Sequence, residues 1–201
     1  MGDRAGGTAV VPCVFVVDDE SLVAAGLASM VSRLTGGQVH TFADAEGALS
    51  RLEELKPELV LMDIRLGPGM DGLAAAREVM ERRPCPVIIT TAYADEEYLQ
   101  EAMRAHVFGY LVKPITPQQL AGGIAVARSR FGEFLALRAE NRSLREALEA
   151  RKLVERAKGI LMDKKHIGES QAYELMRRES QEQRRSMGEL ARRIIEAADF
   201  L

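Results

Sequence analysis

Asp18 and Asp19 close a short apolar run, Cys13–Val17, and Asp63 closes another, Leu59–Met62. Thr90 and Thr91 stand at the end of a run that opens at Val87, and Lys113-Pro114 follows Phe108–Val112. Three carboxylates brought side by side repel one another unless a cation sits among them. An all-oxygen set with no His or Cys suits Mg²⁺ or Mn²⁺, which bind through a few carboxylates and keep several waters. A lysine in the same place adds a second positive charge, and a threonine adds a hydroxyl donor. Together these groups suit phosphoryl transfer, in which a protein mainly positions reactants and neutralises charge on the equatorial oxygens. Each piece alone has a plainer explanation: Asp-Asp as a helix cap, Lys-Pro as a turn, Thr as a partner for backbone. All four in the right order at five-strand spacing form a far more specific pattern.

The elements that must position these groups are legible in the hydrophobic pattern. Continuous Val-, Ile- and Leu-rich runs of strand length read as strands buried on both faces of a parallel sheet. Five are expected: Cys13–Val17, Val39–Phe42, Leu59–Met62, Val87–Thr90 and Phe108–Val112. Helical stretches alternate with them. The first carries Leu22, Val23, Leu27, Met30, Val31 and Leu34 and ends at Gly36-Gly37. Asp44 caps the second, which Pro57 stops; a third covers Leu73–Met80 and a fourth Asp95–Ala105. Strands alternating with helices imply a doubly wound parallel sheet, in which ligands sit at the carboxyl ends of the strands.

From Thr116 the strand signal disappears. Thr116-Pro117 reads as a helix start with Pro117 at the first helical position. Phe134, Leu137, Asn141, Leu144 and Leu148 follow a and d heptad spacing with Asn141 at an a position, a pattern that favours a parallel in-register dimer. The plainer alternative is a helix laying one apolar stripe on its own domain. Gly168 breaks the last stretch, and Ile160, Leu161, Tyr173, Leu175, Met176, Leu190, Ile194 and Ile195 supply stripes for a three-helix bundle.

The chain has 201 residues, 47% hydrophobic and 28% charged, which excludes wholesale disorder. Its apolar runs are strand-sized, so no membrane span is expected, and the start, Met1–Thr8, shows no secretory h-region. Cys13 and Cys85 make neither a disulfide framework nor a zinc site, and a cytoplasmic location is expected. The formal charge of −3 divides unevenly: residues 1–127 carry −7, 128–150 carry +1 and 151–201 carry +3. An acidic front and a mildly basic tail point to two modules with different partners.

The runs Val16-Val17-Asp18-Asp19-Glu20, Leu61-Met62-Asp63, Thr91-Ala92 and Tyr110-Leu111-Val112-Lys113-Pro114 resemble the receiver domain of two-component response regulators. The resemblance implies a flavodoxin-like (βα)5 fold over residues 11–130 and phosphorylation of Asp63 by a sensor histidine kinase. It also implies Mg²⁺ (or Mn²⁺) held by Asp19 directly, by Asp18 through water, by Asp63 and by the backbone carbonyl of Arg65. Lys113 would pair with the phosphoryl group, Thr91 would hydrogen-bond it and Tyr110 would report it by turning inward. The chain would then be a phosphoacceptor signalling protein, not an enzyme acting on an external substrate. Two departures stand out. The segment Ile64–Met70 is one residue longer than the commonest receiver loop, and His106 stands where glycine is frequent.

Arg151 to Met162, with its Ala-Lys-Gly followed by Ile-Leu-Met, resembles the opening of the ANTAR domain, a three-helix RNA-binding antitermination module. Glu169–Tyr173 and Met187–Ala191 resemble the starts of its second and third helices. The expected organisation is a flexible tail at 1–10, a receiver at 11–130, a helical linker or short coiled coil at 131–150 and the ANTAR bundle at 151–201. Arg156, Lys158, Gly159, Lys164, Lys165, Arg177, Arg184 and Arg185 are the candidate contacts to hairpin RNA of nascent transcripts, since Lys and Arg neutralise phosphates. Glu174, Glu179 and Glu182 lie among the arginines, so a salt-bridged solvated face is the plainer alternative. Two other outputs compete with RNA: a DNA-binding regulator, which needs a recognition helix, and a protein-interaction adaptor, which needs no affinity for nucleic acid. A homodimer, at least when phosphorylated, is expected along the heptad seam.

Overall fold

A computed structural model describes residues 12–92 and 107–199 of the chain. Five strands, β1 (Cys13–Val17), β2 (Gln38–Phe42), β3 (Leu59–Asp63), β4 (Val87–Thr91) and β5 (Gly109–Val112), form one parallel sheet in the order β2-β1-β3-β4-β5. These are the five expected strands. Every residue of β3 and β4 is buried, as their unbroken apolar runs require.

Helices α1 (Ser21–Thr35), α2 (Ala45–Ser50), α3 (Leu52–Leu55), α4 (Gly72–Arg82) and the start of α5 (Pro117–Lys165) cover the sheet. Alternate strand residues feed two cores. Phe15, Val17, Met62 and Ile89 pack with Ala48, Leu49, Leu73 and Val79 of α2 and α4. Val14, Val16, Leu61 and Ile88 pack with Leu27 and Val31 of α1 and Leu120 and Ile124 of α5. Gly36 ends α1 in the left-handed conformation, and the Asp44 carboxylate caps α2 by accepting from the Gly47 N–H at 2.6 Å. The stretch expected as one helix after Asp44 is interrupted at Arg51 and becomes α2 and α3. Thr116 and Gln119 form a reciprocal capping box in front of Pro117. The expected helix Asp95–Ala105, His106 and the tail 1–10 lie outside the described residues.

The chain divides after Phe134 into two compact units. In the second, α6 (Glu169–Glu182) and α7 (Met187–Asp199) pack with the last part of α5. Ala157, Met176, Leu190, Ala191 and Ile195 form its buried core, with Leu153, Ile160 and Leu161 against it. The two expected helix starts, Glu169 and Met187, are where α6 and α7 begin. Tyr173 does not join this core; it is 45% exposed. No described helix is long and apolar enough to cross a membrane.

Candidate functional site

The strand order reverses between β1 and β3, since the chain goes outward to β2 on one side and on to β3, β4 and β5 on the other. Helices leave to opposite faces at such a switch point, which opens a crevice beyond the carboxyl ends of the two strands. Asp18 and Asp19 follow β1 there, and Asp63 ends β3. One carboxylate oxygen from each lies within 4.8 Å of the others. Asp18 and Asp63 are buried, whereas Asp19 is exposed at the rim.

Lys113 enters the crevice from the end of β5. Its backbone N–H donates to the Thr91 carbonyl at 2.7 Å, which registers the residue beside the end of β4. Its Nζ donates to Asp18 Oδ2 at 2.7 Å and to Asp63 Oδ2 at 2.8 Å, bridging the two buried carboxylates. Burial pushes the Asp63 carboxyl above its usual range and the Asp18 charge adds to this, while the Lys113 ammonium and a hydrogen bond from Ile64 pull the other way. Burial also works against the Lys113 ammonium, but the hydrogen bonds and charges of Asp18 and Asp63 outweigh it and raise its pKa.

The loop after Asp63 is shaped by close approaches. A Cβ at Gly72 would collide with the Asp63 carbonyl oxygen, so only glycine lets α4 start directly beneath the strand end. Asp71 caps that helix by accepting from the Ala74 N–H at 2.7 Å. Within this loop, Gly67 and Gly69 flank Pro68 and both have positive φ. Glu46 of α2 holds this segment: its Oε1 accepts from the Met70 N–H at 3.0 Å. That tether spans residues 24 apart and has no signature in the sequence. Thr91 is buried, and Tyr110 is half-buried against the α2–α4 core. An apolar cleft of about 480 Å³ between Val23, Gly26 and Met30 of α1 and Pro114-Ile115 opens beside Lys113.

Asp18, Asp19, Asp63 and Lys113 are thus brought together as expected. The oxygen-only set, part buried and part at the rim, fits a hard divalent cation that keeps some of its water.

The residues expected to meet RNA sort differently. Lys164, Lys165, Arg184 and Arg185 are exposed, and Arg184 turns the chain between α6 and α7 with a positive φ. Arg177 faces Glu174 at 3.5 Å on the surface. Lys158 is withdrawn: it is 7% exposed, and its Nζ reaches Glu155 at 2.8 Å and Glu169 at 2.7 Å. The Glu155 pairing is legible as an i,i+3 couple, but the Glu169 pairing ties α5 to the first turn of α6. No atom outside the local helix backbone lies within 4 Å of where a Gly159 Cβ would stand, so close helix packing does not explain that glycine.

The expected seam also divides. Phe134 is half-buried in an aromatic cluster with Phe108 and Phe131 and belongs to the receiver core. Leu137, Leu144 and Leu148 are 66%, 64% and 54% exposed, and Asn141 is exposed between them.

Known proteins match both units. The response regulator receiver domain family matches residues 14–125 and the ANTAR domain family matches residues 142–195. The transcriptional regulatory protein PdtaR of Mycobacterium tuberculosis is 36% identical over 183 residues, which cover 91% of this chain and 89% of that protein. The positive alginate biosynthesis regulatory protein of Pseudomonas aeruginosa is 40% identical over 116 residues, covering 57% of this chain and 46% of that protein. The signal receiver domain of a modulated diguanylate cyclase from Desulfovibrio desulfuricans G20 superposes with a TM-score of 0.56 at 32% identity, over 61% of this chain and 97% of that one. The chain belongs to the response regulators of two-component systems, with a flavodoxin-like receiver domain followed by a C-terminal ANTAR domain. The three-carboxylate cluster is therefore the acidic pocket at which receiver domains bind a divalent cation.

Proposed function

We propose that a sensor histidine kinase phosphorylates Asp63 and that the phosphorylated protein binds hairpin RNA of nascent transcripts through its C-terminal unit, preventing terminator formation. The observation that carries the first half is the Lys113 ammonium held between Asp18 and Asp63 at the switch point of the sheet. The donor is a phosphohistidine: its P–N bond breaks as a P–O bond forms to an Asp63 carboxylate oxygen. Lys113 is already within hydrogen-bond reach of that carboxylate, so it can follow the transferred group and offset its charge. Asp18, Asp19, Asp63 and the Arg65 carbonyl would hold Mg²⁺, which when bound neutralises charge on the phosphoryl oxygens. The apolar cleft beside Lys113 is the surface on which we place the kinase.

Thr91 then hydrogen-bonds the phosphoryl group and Tyr110 turns inward, biasing the surface around β4 and β5. Dimerisation follows along Leu137, Asn141, Leu144 and Leu148, whose exposed apolar stripe supports a partner helix. We place the receiver at 11–130, the coiled coil at 131–150 and the RNA-binding bundle at 151–201, in the cytoplasm. Lys164, Lys165, Arg184 and Arg185, all exposed, support RNA contact, and Arg156, Arg177 and Gly159 complete the proposed set. Incubation with acetyl phosphate and Mg²⁺ tests the site: intact mass should rise by one phosphoryl group, and Asp63→Ala should abolish the gain. Undiminished phosphorylation of Asp63→Ala would overturn the assignment.

A further inference from the structure

A cleft of about 350 Å³ lies in the second unit between α5 and the start of α7. Its volume is at the small end of the roughly 300–1,000 Å³ range of ligand clefts, suited to one flat ring system and far too small for a duplex. Ala150 and Leu153 of α5 form an apolar floor. Gly188 packs closely on Ala150, where a Cβ would approach the Ala150 Cβ at 3.2 Å, so the lack of a side chain lets α7 start close against α5. Arg145 stands on one side and Arg192 on the other.

The charges of the cleft are already sorted. Glu146 accepts from Arg142 at 2.8 Å, and Glu149 from Lys152 at 2.7 Å. Glu189 is engaged in the α7 capping box, accepting from the Ser186 N–H at 2.9 Å. Arg145 and Arg192 make no ion pair among the described residues; Arg192 shares its charge with the nearby Glu189 carboxylate, and Arg145 is the guanidinium left open beside the apolar floor. Planar guanidinium stacks on flat π-systems and binds phosphate, which suits both parts of one nucleotide. The carboxylates at the rim disfavour an acidic peptide but can accept from the N–H groups of a base edge.

We infer that this cleft between Arg145 and Arg192 receives one unpaired base of an RNA loop. The inference rests on the RNA reading above and places its discriminating contact away from the Ala-Lys-Gly segment, whose lysine is taken up by Glu155 and Glu169. Arg185 and Arg192 both act on the Glu189 carboxylate, which puts their positive charge at the α7 side of the cleft.

The test measures binding of the full-length protein to a stem-loop RNA with a randomised loop and to the same stem as a closed duplex, across a KCl series. Wild type should prefer the stem-loop. Arg145→Ala and Arg192→Ala should each weaken loop binding by about fivefold or more, the lower end of what one stacked base contributes, and reduce the preference over duplex. Arg145→Lys keeps the charge and should still lose most of that preference. Arg77→Ala, on the exposed side of α4 in the receiver, should bind as wild type, and all four variants should keep the wild-type unfolding midpoint. Loop preference unchanged in Arg145→Ala and Arg192→Ala, or equal losses on loop and duplex, would overturn the cleft and leave RNA binding standing. No binding of either RNA by wild type would overturn both and leave the cleft to a protein partner.

Discussion

Replacing Lys113 by Met removes the cation that bridges Asp18 and Asp63 while keeping the apolar stem. Breaking a buried ion pair from one side costs about 3–5 kcal/mol, because a charge is left without compensation. Here the lysine side chain is 14% exposed and that of Asp63 10%, so water relieves part of the cost and about 2–3 kcal/mol is expected. For a unit of receiver size, that corresponds to a fall of roughly 8–12 °C in the unfolding midpoint. The loss should depend on pH. Without its ammonium partner the already raised Asp63 carboxyl rises further. A carboxyl raised in the folded state binds more protons there than in the unfolded chain, so stability falls as pH increases. The deficit should therefore be absent near the unfolded pKa of about 4 and full above the raised folded value. Mg²⁺ offers a replacement positive charge and should stabilise Lys113→Met more than wild type. Scanning calorimetry in EDTA and in Mg²⁺, at several pH values, reads all three effects. A Lys113→Met midpoint equal to wild type in EDTA, or an equal Mg²⁺ response in both proteins, would refute this electrostatic account of the crevice.

Three further outcomes follow from separate parts of the molecule. Lys158→Glu should loosen the start of α6, seen as faster amide exchange around residues 169–173, and adding Glu169→Lys should restore protection; equal exchange in both variants would show that the bridge does not hold the helix. Burial pushes the Cys85 thiol up to about 12, so it should resist iodoacetamide near pH 8 in the folded protein and react on unfolding; rapid native alkylation would contradict its placement. Leu144→Glu should keep the phosphorylated protein monomeric in sedimentation experiments while leaving Asp63 phosphorylation intact, whereas a dimer that persists would remove the seam from the interface.

Much of the receiver was legible because parallel strands bury both faces and so print continuous apolar runs. The polar residue that ends each run marks the sheet edge where chemistry sits. Asp18, Asp63 and Lys113 could be assigned to one crevice from strand ends alone. Local caps were legible for the same reason: Asp44 and Thr116-Pro117 act within one helical turn. What escaped were bonds between residues distant in the chain. Glu46 on Met70 and Glu169 on Lys158 satisfy no local spacing rule, so the sequence did not show that Lys158 is held between Glu155 and Glu169. Phe134 fits a heptad position and an aromatic cluster equally well, and only packing against Phe108 decides between them. Ala45–Leu55 reads as one apolar-periodic stretch, yet the backbone breaks at Arg51.

Phosphate on Asp63 is proposed to control RNA binding by the C-terminal unit. The most direct measurement is the affinity of the purified full-length protein for stem-loop RNA before and after acetyl phosphate and Mg²⁺, with Asp63→Ala beside it. Tighter, salt-dependent binding is expected after phosphorylation, with no change in Asp63→Ala. Equal affinity in both states of a protein shown by mass to be phosphorylated would contradict it.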